Sequence, residues 1–270
     1  MYQEFYNLRE PPFNITPDPR YLFFSRRHRE AFDHILFGIT QRKGFIQVTG
    51  EVGAGKSTLC RAALEELGEG YATALILNPV MTGIQLLRSI LRELDLSDRG
   101  NDRIRLLERL NAYLLEQIGN DVDVVLFIDE AQDMSEDLLE QVRLLSNLET
   151  DNRKLLQIVL IGQPELRDTL DRPELRQLRQ RITVRYHLGS LDRQETESYI
   201  HHRLRVAGSN GRPSFSRWAI SRVHRYSRGV PRVINAVCDK ALLAGYVEGL
   251  DHLGRREIGR AIGDLEGSER

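Results

Sequence analysis

The stretch FIQVTGEVGAGKSTLCRAALEEL, residues 45–67, decides the fold. It opens on a short apolar run, crosses GEVGAGKS between Gly50 and Ser57, and continues as a helical pattern to Leu67. The octapeptide fits G-x-x-x-x-G-K-[ST], and a position between strand and helix is the context in which that pattern cradles phosphate. Glycines let backbone N–H groups curl around a β-phosphate, and the positive end of the following helix adds to the field. Lys56 is placed to reach the β- and γ-phosphates, and the Ser57 hydroxyl to ligate Mg²⁺. The candidate nucleotide-binding residues are therefore Gly50, Glu51, Val52, Gly53, Ala54, Gly55, Lys56, Ser57 and Thr58. A loop that merely needs glycines is the alternative, and the residues further along the chain weigh against it.

Outward from this loop the chain alternates. VVLFI (124–128) and LLQIVLIG (155–162) are continuous apolar runs, the mark of central parallel strands covered on both faces. ATALILN (72–78) and Thr183–Leu188 add two more strands, whereas Ile84, Leu87, Leu91 and Leu94 space like one helix face. Ile104, Leu107, Leu110, Leu114 and Ile118 make a second helix, and Leu138, Val142, Leu145 and Leu148 a third. Strands and helices in alternation predict an α/β fold, a doubly wound parallel sheet flanked by helices. After Leu191 only helical patterns remain, at about 192–207, 216–227, 230–248 and 255–265, which predicts a small all-helical second domain. The first residues carry Pro11, Pro12, Pro17 and Pro19 among aromatics and are expected to run extended, until Ser25 caps a helix reaching about Arg42. The expected organisation is an extended segment over 1–24, a P-loop core over 25–190 and a helical lid over 191–270.

Several polar residues fall where such a sheet does chemistry. VVLFI ends in Asp129 and Glu130. Asp129 suits the Mg²⁺-associated carboxylate and Glu130 the group that polarises an attacking water, the alternative being a solvated turn. Gln163 follows the next central strand, where a polar side chain senses a γ-phosphate unless it only caps the turn before Pro164. Arg181, just before the last strand, is the favoured arginine finger toward a neighbouring subunit, with Arg176 and Arg179 as rivals. Arg232 opens a helix of the second domain and could report the nucleotide state.

Hydrophobic content of 41% and charged content of 29% are ordinary for a globular chain, and a net charge of −1 gives no global nucleic-acid footprint. Basic charge is concentrated locally, as arginines, between Pro173 and Asn235. Cys60 and Cys238 lie far apart inside helical patterns and read as reduced thiols. No signal-peptide pattern opens the chain and no apolar run suffices to span a bilayer, so a soluble cytoplasmic location is expected. The histidines show no metal-site spacing.

Taken together, PPFNITPDPRYLFFS (11–25) with HREAF (28–32), the loop sequence, FIDEAQDM (127–134), VRLLSNLET (142–150), LLQIVLIGQPEL (155–166), LRQLRQRI (175–182) and SRGVPRVIN (227–235) resemble one family. It is the AAA+ ATPases of the general secretion pathway A type, with MSHA-pilus and exopolysaccharide-locus relatives. The resemblance implies an AAA+ core with a helical lid, in which Lys56 and Ser57 match Walker A and Asp129 and Glu130 match Walker B. Gln163 matches sensor 1, Arg232 sensor 2 and Arg181 the finger. Asn78 matches the polar residue that restrains the catalytic glutamate. It further implies an ATP hydrolase binding ATP, ADP and Mg²⁺, acting as a ring or filament of like subunits with an inner-membrane partner in type II secretion or pilus assembly. Secretion-type members continue into a membrane span and a periplasmic peptidoglycan-binding domain, so direct membrane contact is not expected of these residues. Two other readings stay open: a DNA-associated AAA+ ATPase of the transposition-regulator or initiator type, against which the near-neutral charge argues, and a nucleotide-gated scaffold with slow turnover.

Overall fold

The computed structural model describes residues 1–16, 18–150 and 153–267; Pro17 of the N-terminal prolines and the last three residues of the expected lid lie outside them. The chain divides into two compact units. One comprises Arg29–Gly50 with Leu59–Leu188, and the other Met1–His28 with Glu51–Thr58 and Gly189–Arg270.

The first is an α/β unit. Its strands are β1 (Phe45–Gly50), β2 (Tyr71–Ile76), β3 (Asp123–Ile128), β4 (Leu156–Gly162) and β5 (Ile182–Leu188). They form a parallel sheet in the order β2-β3-β4-β1-β5. Every residue of β1 and β4 is buried, as continuous apolar runs require of central strands, while β5 at the edge alternates buried with exposed positions. One hydrophobic cluster gathers Leu126 and Ile128 of β3 with Ile158 and Leu160 of β4. Leu86 and Ile90 of α4 (Gly83–Glu93), Leu110 of α5 (Arg103–Gly119) and Leu139 of α6 (Glu136–Leu145) pack onto the same cluster. Helix α4 starts sharply because Thr82 and Gln85 form a reciprocal capping box. The strand expected over 72–78 ends instead at Ile76. Asn78 precedes Pro79 and its Oδ1 accepts from the Val80 N–H at 3.2 Å, so a turn replaces the ladder there.

The second unit is helical, built from α9 (Arg193–Val206), α10 (Arg217–Ser227), α11 (Pro231–Glu248) and α12 (Arg255–Leu265). Asp192 and Ser216 cap α9 and α10, and Pro231 takes the first position of α11, where its missing N–H costs nothing. A two-residue parallel pairing of Ser214–Phe215 with His252–Leu253 departs from the all-helical expectation; a bridge that short leaves no period in the sequence. Cys238 is buried here and Cys60 in the other unit, both as free thiols whose pKa burial pushes up.

The N-terminal segment is not simply extended. Tyr2–Phe5 makes one helical turn, α1, and Tyr6, Leu8 and Phe13 enter the same core as Val237, Cys238 and Leu242 of α11. Aromatic residues between the prolines supply apolar area that the helices alone leave uncovered. Arg203 of α9 fastens this strap: only 7% exposed, it donates to the Pro12 carbonyl, to the Asn14 carbonyl at 3.0 Å and to the Tyr199 hydroxyl at 3.1 Å, and it stacks over Tyr21. Among the described residues no helix is long and apolar enough to cross a membrane.

Replacing Arg203 by Ala strands two backbone carbonyls and removes the stacked cation. It should lower stability by about 2–4 kcal/mol, read as a drop in the denaturant midpoint without a change in slope. An unchanged midpoint would mean that the strap is held by its apolar contacts alone.

Candidate nucleotide site

Strand β1 runs directly into the loop Glu51–Gly55, and α3 (Lys56–Leu67) begins at Lys56. The loop is held by its carbonyls. Glu51 O accepts from the Ala54 N–H at 3.1 Å and from Lys56 Nζ at 3.0 Å. Gly53 O accepts from the Arg232 N–H at 3.2 Å, and Ala54 O lies 3.0 Å from His28 Nε2. Tying carbonyls back leaves N–H groups for another partner, and the first four N–H groups of any helix, α3 included, have no intrahelical acceptor.

Two glycines make this path possible. Gly53 (φ +77°) and Gly55 (φ +99°) occupy the left-handed region that side chains avoid. A Cβ on Gly53 would fall 2.4 Å from the Cβ of Arg232. Lys56 is 7% exposed although charged, which is tolerable because its ammonium has a backbone partner. Val52 at the loop tip is 51% exposed.

The polar ends of the sheet lie at one edge. The register pairs Thr49 of β1 with Gly162 of β4 and Ile128 of β3 with Leu160 of β4, so Gly50, Asp129 and Gln163 emerge from neighbouring strand ends. Asp129 is 4% exposed; its N–H donates to Ile76 O at 2.8 Å and its Oδ1 accepts from the Glu130 N–H at 2.9 Å. Glu130 itself sits at φ +52°, an uncommon conformation for a side chain of its size and one associated with functional sites. Gln163 is the N-cap position of α7 (Pro164–Leu170), and its side chain makes no capping bond.

Gln132, which no motif position singles out, connects these groups. Its Nε2 donates to Glu130 Oε2 at 2.9 Å and its Oε1 accepts from the Gln163 N–H at 2.9 Å. A carboxylate on one side and an N–H donor on the other fix which way the amide points. A Cβ on Gly162 would come within 2.9 Å of Gln132 Oε1, so the close approach depends on that glycine. Gln132 lies inside FIDEAQDM, two residues beyond Glu130. Asn78, expected to restrain Glu130, is engaged in its own turn.

The arginines separate by environment. Arg181, which ends α8 (Arg176–Arg181), donates to Ser146 Oγ and to the Arg143 carbonyl at 3.3 Å. Arg176 and Arg179 are exposed and, with Arg185 of β5, line an open cleft of about 670 Å³. Arg232 is the second residue of α11, and its side chain is exposed while its N–H holds the loop.

Residues 39–170 match the AAA domain family, and the parallel sheet with the loop between β1 and α3 has the AAA+ P-loop fold. Over 268 residues, 99% of the chain, it is 44% identical to general secretion pathway protein A of Aeromonas hydrophila, as the motif resemblance led one to expect. The chain spans 49% of that relative's length. Among solved structures it is similar to the Aeropyrum pernix ORC2 protein in its ADPNP and ADP complexes (TM-score 0.70, 18% identity, covering 97% of this chain and 72% of that one). It is also similar to the Thermotoga maritima RuvB Holliday junction branch migration motor (TM-score 0.58, 18% identity, covering 88% and 69%). At that identity the likeness is one of fold.

Gly53→Ala should cost about 2–4 kcal/mol, because backbone strain and the clash with Arg232 add. Gly68→Ala, at φ +65° with nothing within 4 Å of its Cβ, should cost only about 1 kcal/mol. Equal costs in urea unfolding would show that the contact with Arg232 does not constrain the loop.

Proposed function

We propose that this chain binds Mg-ATP at Gly50–Thr58 and hydrolyses it, as the cytoplasmic motor or switch of a bacterial secretion or pilus system assembled across the cell envelope. The observation that carries the hydrolytic reading is the chain from the Glu130 carboxylate through the Gln132 amide to the backbone of Gln163, set at adjacent strand ends. A carboxylate oriented by an amide hydrogen bond suits the orientation of a water nucleophile. The tied-back loop carbonyls and the start of α3 fit a polyphosphate, and by the motif resemblance the Ser57 hydroxyl and the Asp129 carboxylate are the proposed Mg²⁺ ligands. Mg²⁺ supplies neutralisation of charge on the β- and γ-phosphate oxygens.

Lys56 supplies a fixed positive charge, Gln163 senses the γ-phosphate, and Arg232 couples the lid to the loop. The envelope role rests on the 44% identity to general secretion pathway protein A, together with an inner-membrane partner that such a system requires. Arg181 is the proposed finger acting in trans, so the working form is a ring or filament of like subunits; Arg176 and Arg179 are its exposed rivals.

Lys56→Ala should abolish ATP binding in a calorimetric titration. Mixed with Arg181→Ala chains, which keep an intact loop but lack the finger, it should restore part of a turnover otherwise reduced by about 10³-fold or more. With assembly confirmed by light scattering, no recovery at any ratio for Arg181, Arg176 or Arg179 variants would remove the trans assignment.

The DNA-associated reading has the cleft of Arg176, Arg179 and Arg185 in its favour. Against it, Arg179 is paired with Asp171 at 3.2 Å and the net charge is −1, so counterion release offers little. Fluorescence anisotropy with labelled duplex, with and without ATP across a salt series, should give only weak binding at physiological salt. Sub-micromolar, ATP-dependent binding with a steep salt slope would instead favour the DNA-associated ATPase.

A further inference from the structure

The loop's third carbonyl is held by a side chain from outside the nucleotide motifs. His28 is the third residue of α2 (Arg26–Thr40) and is 4% exposed. Its Nε2 lies 3.0 Å from Ala54 O, and its Nδ1 lies 2.8 Å from Ser25 Oγ. Ser25 Oγ also accepts from the His28 N–H at 3.3 Å, the bond of an N-cap residue.

These partners leave one assignment of protons. A carbonyl oxygen only accepts, so Nε2 carries hydrogen and donates to Ala54. Burial lowers the pKa of the ring and keeps it neutral, so Nδ1 holds a lone pair and accepts the Ser25 hydroxyl proton. Ser25 thus orients His28, and His28 orients the loop. The ring also stands against Gly55, where a Cβ would fall 3.1 Å from Nε2.

We infer that His28 is a positioning residue for the nucleotide loop. In a planar trans peptide the C=O of one residue and the N–H of the next point in opposite directions. Pinning Ala54 O toward the imidazole therefore aims the Gly55 N–H directly away from it, and with φ +99° at Gly55 this peptide has few other restraints. Without the ring the Ala54–Gly55 peptide is free to rotate, and an N–H that donates to phosphate must be re-ordered at each binding event. Recognition of the triphosphate then begins outside the glycine loop, at the serine and histidine of SRRH (25–28).

This inference rests on the loop being the nucleotide site, and its test separates the two. Mg-ATP dissociation constants, kcat and KM are measured on the full chain for the parent, Lys56→Ala, His28→Gln, His28→Asn and His28→Ala, with thermal unfolding in the absence of nucleotide. Gln carries an amide N–H at about the depth of Nε2, whereas Asn reaches only the level of Nδ1. His28→Gln should bind within about threefold of the parent, while His28→Asn and His28→Ala should bind roughly 10- to 100-fold more weakly, the range expected for one hydrogen bond to a charged acceptor. Their loss should fall on KM, with kcat at saturating ATP nearly unchanged, and His28→Gln and His28→Asn should unfold at similar temperatures. If the parent binds, Lys56→Ala does not, and His28→Asn binds as tightly as the parent, the positioning role is wrong. It is equally wrong if Gln and Asn lose affinity alike. If Lys56→Ala binds as well as the parent, the loop is not the nucleotide site and both readings fall.

Discussion

A triphosphate carries concentrated negative charge that only fixed donors hold without a large ordering cost, and that constraint governs the proposed nucleotide site. The glycine loop has little rigidity of its own. Its direction comes from Lys56 on Glu51 O, the Arg232 N–H on Gly53 O and His28 on Ala54 O. Two of these three holds come from distant parts of the sequence, α11 and the start of α2. The helix beginning at Lys56 then adds first-turn N–H groups, which have no acceptor within the helix, to the donors the loop presents.

At the neighbouring strand ends the same economy appears with carboxylates. Asp129 is buried, and its Oδ1 takes the N–H of Glu130, whose left-handed backbone would otherwise be costly. Gln132 binds Glu130 on one side and the start of α7 on the other, so strain in one residue is held by two strands and a helix. Such a site needs a sheet that does not slip. Burial of β1 and β4 on both faces supplies that, since a shift of register would lose the pairing of every strand end.

The architecture was legible because its signals are periodic. Runs such as VVLFI and LLQIVLIG admit little besides buried parallel strands, and GEVGAGKS between strand and helix marks the loop of the candidate site. Local chemistry at element ends was harder to read. The β2 strand stopped short because Asn78 bonds its own turn, and the proline-spaced strap joined the helical core because Arg203 ties down two of its carbonyls. Gln132 and His28 escaped for a related reason. Each acts by a hydrogen bond to backbone or to a carboxylate, contacts that no spacing rule encodes, and only three-dimensional proximity makes them visible.

In the proposed function Glu130 activates water at a nucleotide bound by the glycine loop. Phosphate release from Mg-ATP by the parent chain and by Glu130→Gln, with ATP binding measured in parallel, tests it most directly. The account predicts that the variant binds ATP as the parent does while its turnover falls by about 10²-fold or more, the usual loss when a general base is removed. Turnover at the parent rate with binding intact would contradict it, and would assign the water-orienting role to another residue.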